Sequence, residues 1–457
     1  MIRRTRFHGP SGSPAAQTAR IEIVEPVAGL NRQRTATNLQ PGETPFSQNW
    51  VTVGDSYIEP RSGCSQWGTT GTTGTPLGLF TPPTVDRFEW AYLLSSRTIR
   101  KRDVGDNWGG QNSSVAQSTG TADYYSAAVA FKQSATSGNA LLYFTNWNLT
   151  PKTLAVGVAS QVVDLTEVYS ILSYARYVAA FDDRIILFNS GSTNTGTSYQ
   201  LFFPTRAAWT ARGSPSDFTN GGFQDLVDMQ GGGSGAIAER DRLVLLSESE
   251  VWAGRPRRDA YAFDFFALDR SKGCPLVYDR TPKSTEAGTI WLGNGFQFYR
   301  LVGNDVRALG DKVRDLLRDE MREWRHCWSL YNADQHTYTL FYSDTTGEYP
   351  TKALFLRTDT IVADPATGRE DGVWFQQDFG TLQFMCGEAF GVNSTLISSA
   401  GTAYRMLSSQ TNDAGTAVDA RWRSHAMRGQ KSIFPYEALQ ELWVEYEHDS
   451  ATTSSLS

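Results

Sequence analysis

An all-β chain, built as a propeller-like ring of short antiparallel blades with one inserted amphipathic helix at about 305–321, is the fold class the sequence predicts. Three observations predict it. Short β runs recur along the chain, among them "FEWAYLLSS", "YYSAAVAF", "NALLYFTN", "YVAAFDDRIILFNS", "IWLGNGFQFYRL" and "ELWVEYEH". Several share one plan, a β run, a turn of Asp, Asn or Gly, then a second β run; the turn centres Asp182, Asp241, Asn294, Asp334 and Asn393 recur roughly every 40–60 residues, near the ~40–50-residue period of propeller blades. Composition agrees: 13 Trp, 12% aromatics and 41 Gly in 457 residues suit many strands joined by tight turns. Two stacked sandwiches would give a similar local pattern.

In chain order, residues 1–20 form a predicted flexible arm carrying Arg3, Arg4 and Arg6 among Gly, Ser and Pro. The arm is expected to order only on assembly. Residues 21–448 form the propeller-like domain and 449–457 a polar tail. "RIEIVEPV" alternates apolar and charged residues and reads as a strand. In "NLQPGETPFSQNWVTVGDSYIEPRSG" (Asn38 to Gly63), Pro41-Gly42 sets a turn, and β-formers flank Gly54-Asp55, a hairpin signal. "KRDVGDNW" contains Asp103-x-Gly105-x-x-Trp108, similar to the Asp-box turn between the outer strands of sialidase-like blades, with Lys101 where Ser or Thr is usual. "NDVRALGDKVRDLLRDEM" places Val306, Leu309, Val313, Leu316, Leu317 and Met321 on one helical face, with Asn304 or Asp305 available as a cap.

Chemistry-bearing patterns are sparse. The five histidines (8, 326, 336, 425 and 448) share no ligand spacing, and Cys64, Cys274, Cys327 and Cys386 form no CxxC pair. No metal or other cofactor is expected, and the thiols are expected to be buried. "MQGGGSGAIAERDR" lacks the order of a phosphate-binding or dinucleotide loop and reads as a flexible turn before a strand; Ser234 within it lacks a nucleophile elbow. A carboxylate pair for glycoside cleavage cannot be picked out among 48 acidic residues. A net charge of −6 argues against a nucleic-acid-gripping surface, and no apolar run is long enough to span a membrane. The cluster "GRPRRDAYAFDFFALDR" is the most unusual stretch. Arg255, Arg257 and Arg258 sit in a Gly/Pro loop before aromatics, open to three readings: a solvated loop before a strand, a single-strand nucleic-acid contact, or a protein contact.

The order of segments is more specific than any one of them. Asn49-Trp50 followed by "EPRSG", then "SPSDFT" (Ser214 to Thr219), "DRLVLLSESEVW" (Asp241 to Trp252), "KGCPLVYD" (Lys272 to Asp279) and "IWLGNGFQFYRLVGNDVRALGDKVRDLL" together resemble the tail nozzle or tail tube proteins of short-tailed bacteriophages and related head-to-tail connector components. The resemblance covers most of Val27 to Asp378.

It implies a non-catalytic virion protein, one of six copies in a ring around a DNA channel. Such a ring sits below the portal and adaptor in the tail, is assembled in the host cytoplasm, and contacts fibre or needle proteins. DNA passes through without sequence-specific binding, and the acidic charge of each copy suits a lumen that must not hold phosphate. On this reading Arg255, Arg257, Arg258, Arg3, Arg4 and Arg6 belong to protein contacts. The alternative is a carbohydrate-active or carbohydrate-binding propeller of the sialidase-like kind.

Overall fold

In the computed structural model, residues 4–5, 21–22 and 27–423 are described, except 35–38, 40–42, 54–56, 73, 82–90, 103–107, 115–123, 132–139, 148–149, 157–161, 166–172, 194–199, 258–261, 347, 364–367, 391–392 and 407–411. The strands include seven four-stranded antiparallel blades in chain order, of which the fifth and sixth are joined by a parallel bridge between Leu309 and Glu370. Blade 1 is Pro76–Phe80, Ala91–Ser95, Thr98–Arg102 and Trp108–Ser114. Blade 2 is Ser126–Phe131, Ala140–Thr145, Lys152–Ala155 and Val163–Asp164. Blade 3 is Tyr174–Phe181, Arg184–Thr193, Gln200–Trp209 and Gly222–Asp225; blade 4 is Gly233–Ala238, Leu243–Ser247, Val251–Pro256 and Phe263–Asp269. Blade 5 is Lys283–Thr285, Gly288–Leu292, Phe298–Val302 and Asp305–Leu309; blade 6 is Glu323–Asn332, Thr337–Ser343, Lys352–Ala363 and Glu370–Asp378. In blade 7, Phe384–Phe390, Asn393–Ser398 and Thr402–Met406 take their fourth strand, Cys64–Thr69, from near the start of the chain. The innermost strand of blade 7 packs beside that of blade 1, so the ring closes. The protein is an all-β propeller.

Period-2 patterning explains why the second strand of each blade is so apolar. Such a strand is covered on both faces, so its consecutive residues feed two different cores. Leu243 and Leu245 enter the core shared with blade 3, while Val244 and Leu246 enter the core shared with blade 5. Ile186 and Phe188 likewise face blade 4, and Ile185 and Leu187 face blade 2. Each fully buried side chain of this kind is worth about 1.5–3 kcal/mol. Asp182 and Asp183, both at positive φ (50° and 55°), make the tight turn between the first two strands of blade 3. Asp182, Asp241, Asp334 and Asn393 all mark this first turn of their blades, whereas Asn294 lies one turn later, between the second and third strands of blade 5.

Two expectations are corrected here. The helix spans only Asp311–Glu320, and Asp305–Leu309 is the outer strand of blade 5. Blade 5 needs a fourth strand, and Gly310 at φ 78° ends it and starts the helix without the Asn304 or Asp305 cap. Val313, Leu316 and Leu317 then bury against blades 5 and 6. The glycine run of 231–235, in turn, leads directly into the innermost strand of blade 4 from Gly233, where a Cβ would stand 2.4 Å from the Phe188 ring. All four cysteines are buried and free.

The stretch from Gly29 to Pro60 lies outside the seven blades. Phe46–Gln48 runs parallel to the outer strand of blade 6 and is covered in turn by Arg421–Arg423; Trp50–Val53 and Tyr57–Pro60 form the expected hairpin. Of the "RIEIVEPV" stretch, Ile21–Glu22 is a strand paired with Arg4–Thr5 and Val27 lies in a turn, while 20 and 23–26 are outside the described residues.

Candidate functional site

Seven innermost strands enclose a central channel of about 1250 Å³. The sequence builds its wall unevenly. Blades 1 to 4 contribute small residues, such as Gly78, Ala127, Ala179 and Gly235, and these hold the channel open. Polar side chains form an arc in which Arg176 of blade 3 joins Asp279, Arg280, Lys283, His326 and Glu388 from the connection into blade 5 and from blades 5 to 7.

Two hydrogen-bonded groups organise this arc. In the first, Asp279, in the connection into blade 5, accepts from the Tyr177 hydroxyl at 2.8 Å and the Arg176 Nε at 3.3 Å. Burial raises the Asp279 carboxyl pKa from its ordinary value, against the opposing pull of Arg176; burial also holds the Tyr177 phenol protonated. In the second, the Arg280 guanidinium lies 3.4 Å from the centre of the Tyr124 ring, and its Nη2 donates to the Met385 carbonyl at 2.7 Å. Its Nη1 is buried without a hydrogen-bond partner among the described residues. The Tyr124 hydroxyl and the His326 Nδ1 are 2.6 Å apart, and the His326 ring packs on Tyr349 at 4.5 Å. Burial lowers the His326 pKa and raises that of Tyr124, so the pair is neutral at pH 7.

Chemically, the arc can bind and donate hydrogen bonds. His326 reaches a tyrosine, and the Asp279 carboxylate is already occupied by two donors. Ser234 is fully buried with its hydroxyl unpartnered among the described residues, and Cys386, beside the channel, is pushed up to about 12 by burial. A thiol held protonated is a poor nucleophile. Glu388 is raised by burial, partly countered by Lys283.

The arginines singled out in the sequence lie elsewhere. Arg255 and Arg257 are exposed at the outer edge of blade 4, with Arg255 5.1 Å from the Phe266 ring centre and 3.4 Å from Asn304 Oδ1. Arg258, Arg3 and Arg6 are outside the described residues, and Arg4 is described only as strand backbone. The Asp-box-like turn at 103–107 is also outside them, although the strands it joins are the outer pair of blade 1, where such a turn is expected. Sequence reading missed the channel residues altogether. They are scattered along the chain, and only ring closure brings Tyr124, Arg176, Asp279, His326 and Glu388 together.

No family model matches the chain, and no curated protein matches it. Among solved structures it is similar to virginiamycin B lyase from Staphylococcus aureus (7% identity, 75% of this chain and 98% of that one, TM-score 0.45). It is similar also to the WD40 β-propeller domain of Doa1 (11% identity, 76% and 97%, TM-score 0.40) and to the computationally designed Ika8 protein (8% identity, 79% and 94%, TM-score 0.40).

Proposed function

We propose that the chain is a non-catalytic structural protein of a short-tailed phage tail, one of six subunits closing a ring below the portal and adaptor. The observation that supports this reading is where the collinear motif residues fall. Several have structural roles at seams of the propeller, and those that build the opening motif meet in space. Arg61 of "EPRSG" donates from Nε to the Asn49 side chain at 2.9 Å and pairs with Asp413. Phe218 of "SPSDFT" is fully buried, Arg242 of "DRL" pairs with Glu239 at 2.6 Å, and Trp252 donates to Glu250 at 2.7 Å. A Cβ on Gly273 of "GC" would stand 2.3 Å from the Ser247 carbonyl. Asp279, the last residue of "KGCPLVYD", lines the channel, but the other motif residues named here serve packing and pairing, which fits a building block better than an enzyme.

The propeller channel itself is not the DNA path in this proposal. DNA would follow the axis of the ring, between subunits, where the −6 of each copy disfavours retention. Imaging of virions carrying a tagged copy tests this: a six-fold density below the portal is expected. Absence of the tag from purified virions, or clear turnover in a glycan-hydrolysis screen, would replace it with the carbohydrate-active reading.

A further inference from the structure

The described residues leave eight large apolar side chains exposed, and six of them gather at two places. One is blade 3, where Leu201 and Phe202 are about half exposed, Phe223 lies on the outermost strand, and Val227 is 82% exposed in the turn that follows. The other is the start of blade 6, where Trp324 is 48% exposed beside Phe296, with Val277 nearby in the connection into blade 5. Leu201, Phe202, Val227, Val277 and Trp324 all lie at the end of the ring where innermost strands begin. Exposed apolar groups so concentrated mark an interaction surface.

The two places carry opposite charge. Trp324 is bracketed by Arg322 and Arg325, both exposed, and neither guanidinium makes an ion pair or hydrogen bond among the described residues. The blade 3 site carries Asp225 and Asp228, both exposed; Asp225 pairs with Arg206, which is sandwiched between Phe203 and Phe223 at 3.6 and 4.2 Å, while the Asp228 carboxylate makes no ion pair among the described residues. Aromatics with arginine, and no lysine, are what interface centres are enriched in.

Blades 4 and 5 lie between the two sites along the ring. We infer that the sites meet between copies: the acidic, apolar edge of blade 3 of one chain docks on the basic, Trp324-centred start of blade 6 of the next. This rests on the ring reading above and names its interface. The contact is head-to-tail, the type that generates rings when the rotation closes.

Sedimentation velocity of the full-length chain over a concentration series tests it. Wild type is expected to self-associate. Asp228→Arg and Arg322→Asp/Arg325→Asp should each raise the half-association concentration at least about tenfold with unchanged circular dichroism, and Trp324→Ala should do the same through the apolar contact. Mixing the two charge-reversed variants should restore association, because each reversed site then faces the other. Unchanged association of the single variants, no restoration on mixing, or a wild type monomeric at all concentrations would overturn the interface. A tail ring built through other surfaces would overturn the interface alone; charge-swap rescue in a protein absent from virions would overturn the tail reading alone.

Discussion

Arg61 shows how much a single side chain can carry without any chemistry. It is almost fully buried, pairs with Asp413, donates to the Asp378 carbonyl at 2.8 Å and lies 4.4 Å from the Phe379 ring centre. It thereby ties the N-terminal stretch, the end of blade 6 and the 412–417 hairpin together, and a Cβ on neighbouring Gly63 would strike the Asn412 carbonyl at 2.0 Å. Arg61→Ala leaves a buried carboxylate unpaired and should cost about 3–5 kcal/mol in urea unfolding. Arg61→Lys should recover little of that loss, since a lysine cannot supply the forked set of donors. Glu388 makes a different residue-level prediction. Burial raises its folded-state pKa, so the folded protein holds the proton to higher pH than the unfolded chain, and stability falls as pH rises through that window. Glu388→Gln should match wild type below about pH 4 and be the more stable above the folded pKa, as melting curves across pH will read; an unchanged difference at every pH would contradict the burial.

At the scale of the element, the turn at Gly310 decides whether 305–321 is one helix or a strand and a helix. Its φ of 78°, and the 2.8 Å at which a Cβ there would meet the Trp374 ring, leave room for glycine alone. Gly310→Ala should therefore destabilise by about 2–3 kcal/mol in equilibrium unfolding, combining left-handed strain with overpacking. The helical periodicity of Val306 and Leu309 is real but short. The pairing of Asp305–Leu309 with Phe298–Val302, and the contact of Leu309 with Glu370 of blade 6, outweigh it.

For the whole molecule, closure is the governing event. Cys64–Thr69 completes blade 7 from the far end of the chain, pairing Met406 with Cys64 and Thr402 with Thr69. Two truncations separate the contribution of this strand from that of the segment before it. Removing residues 1–20 should leave the thermal midpoint unchanged, whereas removing 1–69 bares the Thr402–Met406 edge and strips Arg61 from Asp413, and should replace one cooperative transition by a broad, early one followed by aggregation. Equal melting of the two truncated chains would show that closure contributes little.

The sequence by itself determined the class of fold, because alternation at period two and regularly spaced turns are local signals that survive without tertiary context; it determined also that the cysteines are buried. It held the "EPRSG" motif in plain view, yet Arg61 reads as an exposed cation until Asp413, 352 positions away, is seen to pair with it. Only the tertiary structure decided that the ring has seven blades, that the 231–235 glycines lead into a channel wall, that Asp305–Leu309 is a strand, and which side chains face the channel. Those outcomes depend on strand partners distant in sequence, and the free energy that selects them comes from pairing and burial that no local window contains.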